Sequence, residues 1–147
     1  MQQQSPGGAQ IITPSGFQSI ILPSFASKMF LPYLSTIDGT ALRTTCKDAR
    51  DEVAAYAWYD PLQRIHGSIA NWHKPFPQAR SANLRYRLDL TNEDCRLYLN
   101  DHLTLLVITG CVQEALTFDA LKHLKNLKQL DLRGCDKDRL LPDGWRR

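Results

Sequence analysis

The stretches LTLLVITGC (residues 103–111) and LKQLDLRGC (residues 127–135) carry the same template, L-x-x-L-x-L-x-x-C. The first template begins at Leu103 and the second at Leu127, and we call the interval between these two residues the repeat offset. A recurrence at roughly 20–50 residues indicates an internal structural repeat, in which each copy forms one unit and stacks on its neighbour. The two stretches therefore predict two stacked units of the same shape.

Each template contains a short apolar run that predicts a strand, because successive side chains of a strand point to opposite faces. The predicted strands, residues 106–108 and 130–132, should pair in parallel. The cysteine that ends each template should turn the chain inward and bond the loop backbone. Between the strands, apolar residues at every third position predict a helix-like return that covers the strand layer. They are Phe118, Leu121, Leu124 and Leu127.

Incomplete copies flank these two units. Residues 87–92 (RLDLTN) have the pattern of a degenerate first strand, although the interval from Leu88 to Leu106 is shorter than the repeat offset. Residues 140–145 begin a further turn after Cys135. Repeat proteins usually need about three units with caps. We therefore expect N-terminal helices to cap one end of the strands, and Trp145 or a partner to cap the other.

Residues 20–56 carry two apolar stripes at helical spacing, which predict buried helix faces. Pro32 lies in the first stripe, so its helix is expected to end or kink there. Residues 35–39 suit a turn and a helix N-cap. The first stripe comprises Leu22, Phe25 or Ala26, Met29 or Phe30, and Tyr33 or Leu34. The second comprises Leu42, Cys46, Ala49, Val53 and Tyr56.

The same segment resembles an F-box, the helical motif that binds the Skp-type linker of cullin-RING ubiquitin ligases. The resemblance rests on a Leu-Pro pair, apolar residues seven and eleven positions after that proline, an acidic residue that starts the next helix, a leucine, and a Cys-Lys pair. It implies that these residues bind the linker. They are Leu22, Pro23, Phe30, Leu34, Asp38, Leu42, Cys46 and Lys47.

The C-terminal half resembles the cysteine-containing leucine-rich repeats that commonly follow an F-box. In that family the concave strand face holds the substrate. The resemblance therefore implies a partner-binding face on the predicted strands. Its residues would be Thr104, Leu105, Val107, Thr109, Lys128, Gln129, Asp131 and Arg133.

Two simpler interpretations remain open at this stage. The N-terminal stripes are equally typical of the core of a helical cap on the repeats, because apolar periodicity reports burial first. The concave face of two strands is also small compared with ordinary protein interfaces, so it could be purely structural. The short repeat array, Pro32 and an N-terminal tail suited to folding on a partner favour a structural subunit of a larger assembly, whereas the resemblance favours a substrate receptor of a ubiquitin ligase.

Charge and cysteine content limit the function classes. The net charge of +3 is spread over both halves, which argues against a nucleic-acid partner. Four widely spaced cysteines without a C-x-x-C pair predict reduced thiols and an intracellular protein of cytoplasm or nucleus. No stretch approaches the roughly 20 apolar residues of a membrane helix. Without a phosphate loop, nucleophile elbow or zinc spacing, we predict no enzyme, cofactor or metal site.

The predicted fold class is α+β of repeat type, in which an N-terminal helical F-box-like module precedes a short leucine-rich-repeat solenoid with parallel strands. Residues 1–16 contain no charged side chain, and this composition predicts a flexible tail. Residues 17–60 form the helical module, 61–83 a linker or packing segment, and 84–147 the repeats. In and just before the linker, five residues are expected to pack between the modules: Trp58, Ile65, Ile69, Trp72 and Phe76.

Overall fold

The computed structural model describes residues 29–112 and 114–142. Short 3-10 turns lie at Leu31–Tyr33 and Phe118–Ala120. The predictions for residues 1–16, Leu22, Pro23 and Trp145 fall outside the described residues. The remaining elements are α1 (Thr36–Leu42), α2 (Lys47–Ala55), α3 (Ile69–His73), β1 (Ser81–Asn83), α4 (Asn92–Tyr98), β2 (Leu105–Val107), β3 (Gln129–Asp131) and α5 (Lys137–Leu140).

The three strands form one parallel sheet in the order β1-β2-β3. Ser81 pairs with Leu105, and Leu105 pairs with Gln129, so each step of the register equals the repeat offset. Strands β2 and β3 are the two predicted strands, each displaced by one residue toward the N-terminus. The parallel pairing at the predicted offset is therefore present, while a leucine-rich-repeat solenoid stays a prediction.

The prediction of a first strand at residues 87–92 is wrong. Strand β1 lies earlier, inside the segment that was predicted to be a linker, and residue 92 already begins α4. The template is concealed because Ala79, Ala82 and Arg87 stand one repeat offset before Leu103, Leu106 and Cys111. Both alanines are fully buried, and Ala79 packs in one cluster with the large rings of Trp58 and Phe76. At the position of Ala79, aromatic side chains thus pack where a leucine stands in the later units.

Each strand is followed, three residues later, by a residue with left-handed backbone geometry. These residues are Tyr86, Gly110 and Gly134, with φ of 57°, 69° and 71°. The cysteines then bond back to the preceding unit: the Cys111 thiol donates to Leu84 O at 3.8 Å, and the Cys135 thiol donates to Ile108 O. The expectation that these cysteines bond the loop backbone is confirmed.

The core of the described residues consists of two clusters. The larger contains Leu84, Ile108 and Leu132 from the three strand ends, and the smaller contains Leu31 and Val53 from the N-terminal helices. Ile65 and Ile69 belong to the larger cluster, Trp58 and Phe76 belong to the smaller, and Trp72 packs against both. Each of these five residues is therefore part of a core cluster or packs against one, and Trp72 contacts both clusters.

The first helix ends where Pro32 was expected to end it. Met29 and Phe30 are helical, and the chain then tightens into the 3-10 turn. Among the described residues, the predicted stripe was right only at Leu34, which packs against the smaller core cluster; Met29, Phe30 and Tyr33 are exposed, and the buried residue is Leu31. A 3-10 turn has three residues per turn, so Leu31 and Leu34 share the inner face instead.

The second stripe lies on two helices rather than one. Residues 36–39 form the first turn of α1 and not the expected turn before it. The helix stops after Leu42, where the hydroxyls of Thr44 and Thr45 donate to helix carbonyls at 2.7 Å. Such bonds compete with continued helix. Cys46 then caps α2 by accepting from Ala49 N at 3.4 Å.

The predicted return between β2 and β3 is present in part. Leu121 and Leu124 are buried, whereas Phe118 is 37% exposed. Leu116 and Ala120 are buried near it and were not predicted to be. The 3-10 turn at Phe118–Ala120 directs Ala120, rather than Phe118, toward the core.

Candidate docking surfaces

An apolar surface lies at the start of the described chain. It is formed by large side chains on the first helical residues, the 3-10 turn and the first turn of α1. We call it the N-terminal apolar surface. Its members are Met29 (57% exposed), Phe30 (58%), Tyr33 (87%) and Ile37 (59%). Because most large apolar side chains are buried in folded proteins, four of them exposed so close together in the chain mark a candidate interaction site.

This surface rests on a rigid base. Leu31 is only 2% exposed and anchors the 3-10 turn in the smaller core cluster. Ser35 and Asp38 form a capping box, in which Ser35 N donates to the Asp38 carboxylate at 3.0 Å and Asp38 N donates to Ser35 Oγ at 3.2 Å. Thr36 N also donates to the Asp60 carboxylate at 2.8 Å. The backbone below the exposed side chains is therefore fixed at both the turn and the helix start.

The predicted linker-binding residues have different environments. Phe30 is exposed, while Leu34 and Leu42 are half-buried and pack against the smaller core cluster. The Ser35 hydroxyl donates a hydrogen bond to the Asp38 carboxylate, and this bond lowers the pKa of Asp38. Among these four, Phe30 and Asp38 are exposed, and the Asp38 carboxylate is already engaged by Ser35.

Cys46 and Lys47 lie at the start of α2. Cys46 is half-buried because its sulfur caps the helix, and Lys47 is exposed as the first helical residue. Met29, Tyr33 and Ile37 were not predicted as binding residues. Their signal in the sequence was Pro32: a 3-10 turn there moves the buried phase to Leu31 and leaves these neighbours outside.

The strand face that should be concave is partly covered. Ser81 and Asn83 of β1 lie under the segment that follows Trp58, since Asp60 N donates to Ser81 Oγ at 2.7 Å and Asn83 Nδ2 donates to Pro61 O at 2.8 Å. Both side chains are almost fully buried. The accessible face therefore begins at β2.

The eight predicted partner-binding residues divide by exposure. Val107 and Thr109 have only 8% and 6% of their surface accessible, so they offer little to a partner. Thr104 turns its hydroxyl toward Arg80 O at 3.1 Å. Leu105 and Asp131 are half-buried. The exposed members are Lys128, Gln129 and Arg133, all on or beside β3.

Asp131 and Arg133 form a charge pair on the β3 side of this face. Arg133 Nε donates to Asp131 Oδ1 at 2.9 Å, and Arg133 Nη2 lies 2.7 Å from Asp131 Oδ2. This two-point contact lowers the pKa of Asp131 and raises that of Arg133. The carboxylate is thus already paired, and Arg133, at 81% side-chain exposure, keeps most of its guanidinium accessible.

Across residues 29–112 and 114–142, no group of three or more His, Cys, Asp or Glu residues is arranged to hold a metal ion. Within the same ranges, none of the helices has the length and apolar character needed to cross a membrane. The four cysteines are all thiols. Comparison of the chain with protein-family models, curated proteins and solved structures finds no match.

Proposed function

We propose that this chain is a non-enzymatic adaptor whose helical module binds the Skp-type linker of a cullin-RING ubiquitin ligase, and whose strand side holds a protein substrate. The N-terminal apolar surface is the observation that carries this proposal. Its four side chains gain little from folding because they stay in water. Covering each would contribute up to about 1.5–3 kcal/mol to a complex. Such an adaptor would work in the cytoplasm or the nucleus.

The rigid base of the surface supports the same proposal. A partner that meets a preformed turn does not have to order it, so less binding free energy is lost. The capping box and the Thr36–Asp60 contact keep the 3-10 turn and α1 in one geometry. Phe30, which the F-box resemblance assigns to the linker contact, is the central aromatic candidate for a binding hot spot.

Isothermal titration of the full chain with a purified Skp-type linker tests this function. Phe30→Asp and Tyr33→Asp should each weaken binding by about 2 kcal/mol or more if these rings are hot spots. Leu97→Asp is the matched control, because Leu97 is 60% exposed and lies on α4, far along the chain from the proposed contact. Circular dichroism verifies that each variant is folded. Absence of binding by the unmodified chain, or equal losses in all three variants, would refute the proposal.

The alternative is a structural subunit of a larger assembly. The covered side chains of β1 and the buried Val107 and Thr109 favour it, since they leave a small strand face for a substrate. Purification of the native complex distinguishes the two functions. A stable complex that contains the chain and no Skp-type linker supports the structural role, whereas a complex with the linker supports the ligase adaptor.

A further inference from the structure

The outer edge of β3 has backbone N–H and C=O groups at the same repeat positions as those through which β2 pairs with β3. Along β2, Thr104 O accepts from Gln129 N at 3.0 Å, and Ile108 N donates to Asp131 O at 2.9 Å. Lys128 and Leu132 stand one repeat offset after Thr104 and Ile108. The edge therefore has the same succession of acceptors and donors for another strand.

Leu130 lies at the centre of this edge. Gln129 and Asp131 direct their backbone groups toward β2, and alternate residues of a strand point their N–H and C=O to opposite sides. The N–H and C=O of Leu130 consequently face away from the sheet. Among the described residues, none pairs with β3 on that side, where β3 ends the strand order.

The burial of equivalent leucines in the two units also indicates that β3 is uncovered on its outer side. Leu103 and Leu106 are 1% and 0% exposed, whereas Leu127 and Leu130, which stand one repeat offset later, are only half-buried. The earlier pair is covered by the unit that contains β3. A further strand would provide the missing cover for the later pair.

A groove of about 850 Å³ runs beside this edge. Its floor is apolar, and its rim is cationic. Leu121, Leu124, Leu127, Leu130 and Leu132 line the floor. Lys122, Lys125, Lys128 and Arg133 supply the positive charges.

Within the described part of the chain, the charge of the rim is not balanced. Asp131 is the one carboxylate among the described lining residues, and Arg133 engages it. Lys122 is paired with Asp119 at 2.8 Å outside the groove lining. Lys125 and Lys128 are exposed and form no ion pair with any described residue. An anionic ligand would therefore meet two uncompensated ammonium groups.

We propose that the open edge of β3 binds an extended acidic segment of a partner protein, which adds a fourth parallel strand. Its backbone would bond Leu130, its apolar side chains would cover the leucine floor, and its carboxylates would meet Lys125 and Lys128. Main-chain bonds provide affinity in this mode, while side chains provide specificity. Exposed ion pairs contribute little individually, so the lysines select an acidic segment rather than dominate the binding. This site is independent of the N-terminal apolar surface.

The probe is the labelled peptide Glu-Glu-Leu-Thr-Leu-Glu-Glu, titrated with the full chain and followed by fluorescence anisotropy. We expect saturable binding that the double variant Lys125→Glu/Lys128→Glu weakens by about tenfold or more. Lys74→Glu is the matched control, since Lys74 is exposed at the end of α3 and far along the chain from β3. It should leave the affinity unchanged.

Backbone pairing has its own test. Replacing the peptide threonine by proline removes the N–H that would reach Leu130 O, so binding should fall sharply. The amide of Leu130 should also exchange more slowly with solvent when the original peptide is bound. A peptide with lysines in place of the glutamates should not bind.

Four results would overturn the proposal. They are absence of binding at about 1 mM peptide, equal binding of the lysine peptide, concentration-dependent self-association that Leu130→Asp abolishes, and tighter peptide binding by Trp145→Ala. The third result would assign the edge to a second copy of this chain. The fourth would assign it to the chain's own C-terminal residues.

Discussion

The ring of Tyr86 lies directly over the α-carbon of Gly110, so that a Cβ atom on Gly110 would be 2.5 Å from Tyr86 Cδ1. Both residues follow a strand by three positions and have positive φ. Gly110 is therefore required twice, for its backbone geometry and for the space that the ring occupies.

Gly110→Ala is expected to lower the free energy of unfolding by more than the backbone effect alone. A side chain at φ of +69° costs about 1–2 kcal/mol, and the clash with the ring adds about 1–3 kcal/mol. Urea denaturation measures the loss. Gly67→Ala is the matched control, since Gly67 has φ of +70° and no atom within 4 Å of its Cβ position. Equal losses in the two variants would show that the ring yields.

Gly39→Ala tests the packing beneath the N-terminal apolar surface. Gly39 is buried in α1, and a Cβ there would lie 2.6 Å from Cη2 of Trp58. Helix propensity alone predicts a gain of about 1 kcal/mol. We expect a net loss of about 1–2 kcal/mol, because overpacking typically costs more. Thermal denaturation of the variant measures the sign.

The Trp58→Phe background identifies the cause of that loss. Trp58 is fixed by its indole N–H, which donates to Val53 O at 2.8 Å. A smaller ring leaves room for the methyl group, so Gly39→Ala should cost less in this background. An unchanged cost would locate the strain elsewhere.

Thiol alkylation should distinguish Cys46 from Cys95. Burial, with smaller contributions from Asp94 and Cys111, raises the pKa of Cys95 to about 12. Cys95 should therefore stay protonated and unmodified by iodoacetamide at about pH 8, since the thiolate is the reactive form. Cys46 is partly exposed and should react first. Mass spectrometry after a timed reaction checks this order, and alkylation of Cys95 before Cys46 in the native protein would contradict it.

The pair Arg87–Asp89 predicts an acid-sensitive contribution to stability. Arg87 is buried, and its Nε donates to Asp89 Oδ1 at 2.7 Å. That bond lowers the pKa of Asp89 from its ordinary value of 3.8. A depressed pKa means that the contribution is complete above the unfolded value and is lost as pH falls through the folded one.

Unfolding free energies measured between about pH 6 and pH 2 should therefore fall less steeply in Asp89→Asn than in the unmodified chain. The difference between the two proteins should narrow as pH falls below 3.8, because the Asp89 carboxyl of the unmodified chain then becomes protonated and, like the amide of the variant, carries no charge. A constant difference across the whole range would show that the Arg87 contact does not depend on the charge of Asp89.

Strands β2 and β3 were predictable because their signals are local. Alternating apolar residues, a closing cysteine and a constant repeat offset all lie within the two templates. The end of the first helix was also predictable, since Pro32 removes a backbone donor wherever it stands. Of the residues predicted to bind the Skp-type linker protein, Phe30 is exposed, while Leu34 and Leu42 pack against the core.

Strand β1 could not be identified in this way, because Ala79 and Ala82 carry too little apolar surface to mark a template. Ala79 becomes core only when Trp58 and Phe76 pack in one cluster with it, and Trp58 is distant from Ala79 in the chain. The exposure of Tyr33 and the burial of Val107 likewise depend on tertiary contacts with residues that are distant in the chain. Periodicity in a sequence indicates which residues prefer to be buried. The tertiary structure decides which of them are buried, because the side chains that cover them come from distant parts of the chain.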